Sequence, residues 1–124
     1  MTYDSNNIFA RIIRKEIPNK TVYEDDAVLA FHDIAAAAPV HVLVVPKGNH
    51  VSFDDFLKNA GAETVAGFFS RVQKIAGELG LIEGGYRLIT NHGPDASQSV
   101  PHFHVHILGG KPLGGLLPGD AVTR

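Results

Sequence analysis

The chain predicts an α+β domain: a five-stranded antiparallel sheet with one long and one short helix. Three stretches carry that expectation. Residues 40–46, Val40-His41-Val42-Leu43-Val44-Val45-Pro46, form the most β-branched segment and read as a central strand. Residues 102–108 alternate histidine with apolar side chains, which is the two-residue period of a strand. Between them, Val65, Phe68, Phe69, Val72, Ile75, Ala76 and Leu79 recur at spacings of three and four, the stripe of a core-facing helix over residues 62–79. Strands joined by hairpins and short loops, with the long helix inserted between the third and fourth, place the helices on one face of the sheet.

In chain order, Asn7 caps a helix over residues 8–15 whose apolar positions are Ile8, Phe9, Ile12 and Ile13, and Pro18 stops it. Residues 21–24 and 27–32 are two strands joined by a turn at Asp25-Asp26. The run from Ala35 to Ala38 is too short for a helix and precedes Pro39, so it reads as a loop. Ser52 caps a short helix with Asp54 and Asp55 in its first turn, where the helix dipole favours negative charge. Gly80 closes the long helix, residues 86–91 are the fourth strand, and the polar loop of residues 92–101 leads into the histidine strand. Residues 1–112 form one domain. Residues 113–124 are a Gly- and Pro-rich tail whose leucines, Leu113, Leu116 and Leu117, need burial that a partner subunit could supply.

Composition narrows the chemistry. The chain has 124 residues, a formal net charge of −2 and no basic block, which argues against a nucleic-acid duplex as partner but leaves a single nucleotide acceptable. No apolar run approaches the ~18–20 residues of a membrane span, and the first seven residues lack the basic start and apolar core of a signal peptide; a cytoplasmic protein away from the membrane is expected. The absence of cysteine removes thiolate nucleophiles and sulfur-ligated zinc, leaving histidine, carboxylate and hydroxyl groups.

On a strand, His102, His104 and His106 share one face while Phe103, Val105 and Ile107 share the other. Three such histidines do not easily hold one metal ion. The Cα atoms of His102 and His106 are roughly 13 Å apart, whereas an imidazole plus a metal bond reaches about 6 Å. A zinc site would need two of them with His41 or an acid, and neither a metal nor any other cofactor is expected. A row of imidazoles suits attack on phosphorus instead, with the neutral ring of His104 as nucleophile and its neighbours, Ser99 and backbone amides serving the phosphoryl oxygens.

The pattern resembles the histidine triad (HIT) family, whose His-φ-His-φ-His-φ-φ motif residues 102–108 meet in full. The resemblance extends over about residues 7–112, through Ile12-Ile13-Arg14-Lys15-Glu16-Ile17-Pro18, Leu29-Ala30-Phe31-His32-Asp33-Ile34, Gln98-Ser99-Val100 and Leu108-Gly109-Gly110, and is strongest to the Hint branch. It implies a HIT-like sheet extended across a homodimer. It also implies a metal-independent hydrolase that cleaves the P–N bond of purine nucleoside 5′-phosphoramidates, of AMP-amine or AMP-lysine type, through a nucleotidyl-histidine intermediate.

By the same resemblance His104 is the nucleophile, His106 contacts the phosphate, His102 orients the nucleophilic ring through its neighbour, and His41 supports the triad from the adjacent strand. Ser97, Gln98 and Ser99 belong to the loop around phosphate and leaving group. Asp33 takes the ribose hydroxyls, Ile8, Phe9, Phe31 and Ile34 form the slot for the base, and Asn91 lies on the phosphate side. His32 stands either at the pocket rim or in solvent, and His50 and His92 are expected on the surface. Two departures stand out: Ser97 occupies a position where glycine is usual, and the tail lacks tryptophan. The alternatives are a dinucleoside polyphosphate hydrolase of the same family and a nucleotide-binding scaffold with secondary catalysis.

Overall fold

In the computed structural model, which describes residues 2–117, helix α1 (Ile8–Ile13) precedes strands β1 (Thr21–Glu24), β2 (Val28–His32) and β3 (Val40–Pro46). Helices α2 (Phe53–Asn59) and α3 (Ala62–Glu78) follow, then β4 (Tyr86–Ile89), a 3-10 turn at Pro94–Ala96, and β5 (Val105–Gly109). The sheet order is β1-β2-β3-β5-β4, with every neighbouring pair antiparallel. No helix among the described residues is long and apolar enough to cross a membrane. The expected tail falls partly outside the described residues, at positions 118–124; of its leucines, Leu116 and Leu117 are exposed.

Alternation along the central strands sorts the apolar residues into two clusters. Val28, Ala30, Val42, Val44, Phe103, Val105 and Ile107 face one way and pack with Phe56 of α2 and with Phe68, Val72, Ile75 and Ala76 of α3. Leu29, Phe31, Leu43 and Val45 face the other way and pack with Phe9 and Ile12 of α1. The expectation that all helices lie on one face is therefore corrected. Two apolar residues of α1, Phe9 and Ile12, are enough to bind it to the second face, because that face has its own row of large aliphatic and aromatic side chains.

Asn7 caps α1 as expected, its side-chain oxygen accepting from the Ala10 amide at 2.9 Å. The helix stops two residues before the expected end. Lys15 has φ +67°, the Lys15 amide bonds to the Ile12 carbonyl, and the Glu16 amide bonds to the Arg11 carbonyl. This left-handed closing motif ends the helix before Pro18 can. At α2, Ser52 occupies the cap position without a side-chain bond; the carboxylate of Asp55 accepts from the Val51 amide at 2.7 Å instead. Gly80 closes α3 at φ +76° with the Leu81 amide on the Ala76 carbonyl.

The histidine strand is shorter than its alternation suggests. In the register that pairs Val44 with Val105, Phe103 would face Pro46, which has no amide to donate. The ladder ends there, and the Phe103 amide turns to the His50 carbonyl at 2.7 Å. His102, Phe103 and His104 thus precede β5 as irregular chain, and of the three histidines only His106 lies inside it.

Candidate active site

The face covered by α1 carries the histidines. Leu43 on β3 stands across from His106 on β5, and His41 stands two residues along from Leu43 on the same side. His41 and His104 are buried, His106 is half-buried, and the rings of His104 and His106 lie 5.2 Å apart. Phe9 of α1 sets its ring edge-on to His104 at 4.8 Å, so the helix that closes the second cluster also forms one wall of the site.

Hydrogen bonds fix where each proton sits. The carbonyl of His102 can only accept, so His104 Nδ1, 2.7 Å away, carries the hydrogen and His104 Nε2 keeps its lone pair. The Ala37 amide donates to His41 Nδ1 at 3.0 Å, which leaves the proton of that ring on Nε2. His41 Nε2 then donates to His106 Nδ1 at 2.9 Å, with the Asp33 carboxylate 3.4 Å from the same nitrogen. His106 must therefore hold its own proton on Nε2. Two neighbouring rings end in opposite roles: His104 offers a lone pair and His106 offers a donor.

Burial favours the neutral rings of His102, His104 and His106. Desolvation lowers His102 to about 4 and His106 to about 4, and pushes His104 below the ordinary imidazole value. For His106 the charges of His104 and His41 add to the effect, while Asp33 opposes it. A neutral His104 is what a nitrogen nucleophile requires at neutral pH.

A cavity of about 400 Å³ opens in front of His104 and His106, within the size range of small-ligand sites. Its apolar wall includes Ile8, Phe9, Phe31, Ile34 and Leu43; Asp33 lies on another side, and Asn91, Ser97, Gln98 and Ser99 come from the loops around β4 and the 3-10 turn. Of the residues singled out from the sequence, all line the cavity except His41 and His102, which stand behind it. Ile34 is 98% exposed, so it forms a lip and not a floor. His32 lies at the rim, and His92 is exposed. His50 is half-buried and stacked edge-on against Phe56, which corrects the expectation of a surface position.

Several assignments are sharpened. His102 is fully buried and its ring does not reach the cavity; Nε2 donates to the Pro46 carbonyl at 2.7 Å, and its link to His104 is through the backbone carbonyl. The Gln98 side chain is committed to the loop itself, donating to the Val51 and Val100 carbonyls and accepting from the Gly93 amide. Asp33 accepts from the Ala35 amide with one oxygen, turning the loop, and presents the other toward His41. Ser97 has φ +60°, a left-handed conformation that glycine adopts more readily than serine.

Sequence reasoning missed Tyr3, whose hydroxyl meets His102 Nδ1, and Thr90, whose hydroxyl donates to the His104 carbonyl at 2.8 Å. It also missed Lys20 and Asn19 on the cavity wall. None of these lies near the motif in sequence, and none has a pattern that would mark it.

Asp33, His41 and His106 bring three metal-ligand atoms within 4.8 Å of one another. These atoms are already engaged. The lone pair of His41 is on Nδ1, aimed at Ala37, and its Nε2–H fills the space between His106 and Asp33. A cation would need the opposite His41 tautomer and would cost the Ala37 bond, so the donor set as arranged fits a proton relay and not a metal ion.

A HIT domain family model matches residues 14–113. The chain is 45% identical over 111 residues to the purine nucleoside phosphoramidase of Escherichia coli K12, covering 89% of this chain and 92% of that protein. It is 48% identical over 115 residues to an uncharacterised HIT-like protein of Rickettsia prowazekii, covering 93% and 96% of the two chains. Among solved structures, a HIT family hydrolase from Clostridium thermocellum aligns with a TM-score of 0.84 at 40% identity, covering 92% of this chain and 98% of that one. With its triad, its sheet and the matched span in agreement, the chain belongs to the HIT domain family.

Proposed function

We propose that the protein hydrolyses purine nucleoside 5′-phosphoramidates through a covalent intermediate on His104. The observation that carries this reading is the lone pair of His104 Nε2, held toward the cavity because Nδ1–H is tied to the His102 carbonyl. The name of the Escherichia coli relative supports the substrate class.

The base enters the apolar slot of Ile8, Phe9, Phe31 and Ile34, and Asp33 takes the ribose hydroxyls. The phosphorus then lies in front of His104. Its Nε2 lone pair forms the new P–N bond as the bond to the amine breaks, and the amine leaves with a proton that the Ser99 hydroxyl gives up while taking one from solvent. His106 Nε2–H donates to a phosphoryl oxygen as charge builds there, with His41 and Asp33 behind it holding that tautomer. Water attacks the nucleotidyl-histidine and gives up one proton to solvent, the P–Nε2 bond breaks with its electron pair returning to His104 Nε2, and the nucleoside monophosphate departs. Asn91 and the loop of Ser97, Gln98 and Ser99 border the phosphate.

Single-turnover incubation with adenosine 5′-phosphoramidate, quenched and read by intact mass, tests the proposal. An adduct of one nucleotidyl group in the wild type and none in His104→Ala is expected. Turnover by His104→Ala comparable to wild type overturns the reading.

The second copy expected from the family resemblance pairs along the outer edge of β4. Among the described residues that strand is bonded on one side only, to β5, and Leu88 on it is 44% exposed. Analytical ultracentrifugation of the full chain is expected to give the mass of a dimer, and a monomer at high concentration contradicts it.

A further inference from the structure

The segment before α1 reaches across 99 residues of sequence to the back of the site. The Tyr3 hydroxyl lies 2.6 Å from His102 Nδ1, with the two rings edge-on at 5.6 Å. Because His102 Nε2 must donate to the Pro46 carbonyl, a neutral His102 has its lone pair on Nδ1, and the hydroxyl of Tyr3 is its donor. His102 is fully buried, and burial keeps it uncharged. Without Tyr3 that nitrogen would have no partner in the described structure.

Tyr3 is itself anchored. The Asp4 carbonyl accepts from the Asn7 amide at 3.1 Å and from the Asn7 side chain at 2.8 Å, while Asn7 caps α1. The Ser5 carbonyl accepts from Arg14 at 2.7 Å. One short N-terminal unit thus grips the histidine segment twice, with Tyr3 on His102 and Phe9 on His104. The grip matters because residues 102–104 lie outside the sheet ladder, so nothing regular fixes the carbonyl of His102. That carbonyl is the group that selects the His104 tautomer.

We propose that Tyr3 is a positioning residue for the nucleophile: its hydroxyl locks the His102 ring, and the locked residue aims its carbonyl at His104 Nδ1. The kinetic part rests on the phosphoramidase reading; the structural part does not.

Two variants and one spectrum test it. Tyr3→Phe keeps the ring and removes the hydroxyl, whereas Tyr3→Ala removes both. With adenosine 5′-phosphoramidate, Tyr3→Phe is expected to lower kcat about tenfold while KM stays within about twofold, and Tyr3→Ala to add little further loss in kcat. A packing role gives the reverse, with Tyr3→Phe silent and Tyr3→Ala impaired, and that result overturns the proposal. Long-range proton–nitrogen spectra of the full chain labelled with 15N-histidine read the tautomers directly. In Tyr3→Phe the His102 Nδ1 resonance is expected to move toward that of an unbonded imidazole nitrogen, and His104 to show both tautomers where wild type shows Nδ1–H alone. If wild type does not turn over the probe, the phosphoramidase reading fails and the spectra decide: unchanged His102 and His104 resonances in Tyr3→Phe overturn the positioning role.

Discussion

The two faces of the sheet are built from the same strands and differ in what they bury. Toward α2 and α3 the side chains are entirely apolar at the centre: Phe56 and Phe103 stack at 4.6 Å, and Phe68 meets Phe56 edge-on at 5.2 Å. Toward α1 the cluster is smaller, and it gives way at β5 to imidazoles, each with a proton assigned by a neighbour. Close-packed aromatic area stabilises the first face without direction. The second buries polar groups, which is tolerable only where every donor and acceptor is met, and that requirement is what sets the orientation of the rings.

The sharpest way to separate the faces is to remove the proposed nucleophile. His104→Ala is expected to reduce kcat on adenosine 5′-phosphoramidate by about 10³-fold or more, with the unfolding midpoint little changed because the ring borders a cavity. Steady-state rates beside a urea titration check both halves. On the opposite face Phe56→Ala does the converse. A fully buried ring in a packed aromatic cluster costs about 3–5 kcal/mol on truncation, read as a lower urea midpoint at constant slope, while the histidine network keeps its tautomers.

Acid should also distinguish the two. Unfolded imidazoles take up protons near 6.5, whereas folded His102 and His106 do so only at about 4. The unfolded chain therefore binds more protons in this interval, and the stability present above pH 6.5 is lost as pH falls toward 4. For buried His102 alone the loss is on the order of 3 kcal/mol. In urea titrations across this range, Phe56→Ala should lower the whole curve without changing its pH slope, since the ring has no proton to bind. A slope unchanged in His102→Phe would contradict the assignment to His102.

The smallest effect concerns the loop beside the site. Ser97 sits at φ +60°, so Ser97→Gly relieves a left-handed residue and is expected to stabilise by about 0.5–1 kcal/mol, seen as a modest rise in Tm. A fall in Tm would mean that the Ser97 side chain contributes more than its backbone costs.

Much of this arrangement was readable from local pattern. The helix stripe from Val65 to Leu79 faces the core with Phe68, Val72, Ile75 and Ala76 buried, and Asn7 and Gly80 mark helix ends as their chemistry requires. The alternation through the triad places Phe103, Val105 and Ile107 in one cluster and His104 and His106 on the other face. Where the pattern misled, a partner far away in sequence was responsible in two of three cases. Pro46 ends the ladder opposite Phe103, so the histidine strand starts later than its alternation. At Lys15 the cause is local: its left-handed conformation, with its own amide on Ile12 and the Glu16 amide on Arg11, stops α1 early. The second cluster drew α1 to the face expected to lack helices.

By itself, the sequence determined which side chains share a face and that histidine, carboxylate and hydroxyl groups, not thiolates, are available for chemistry, because strand alternation and residue type are local properties. Only the tertiary structure decided which nitrogen is free. That choice depends on the carbonyls of His102 and Pro46, the amide of Ala37 and the hydroxyl of Tyr3, backbone and side-chain groups brought together by folding, and no period in the sequence encodes them.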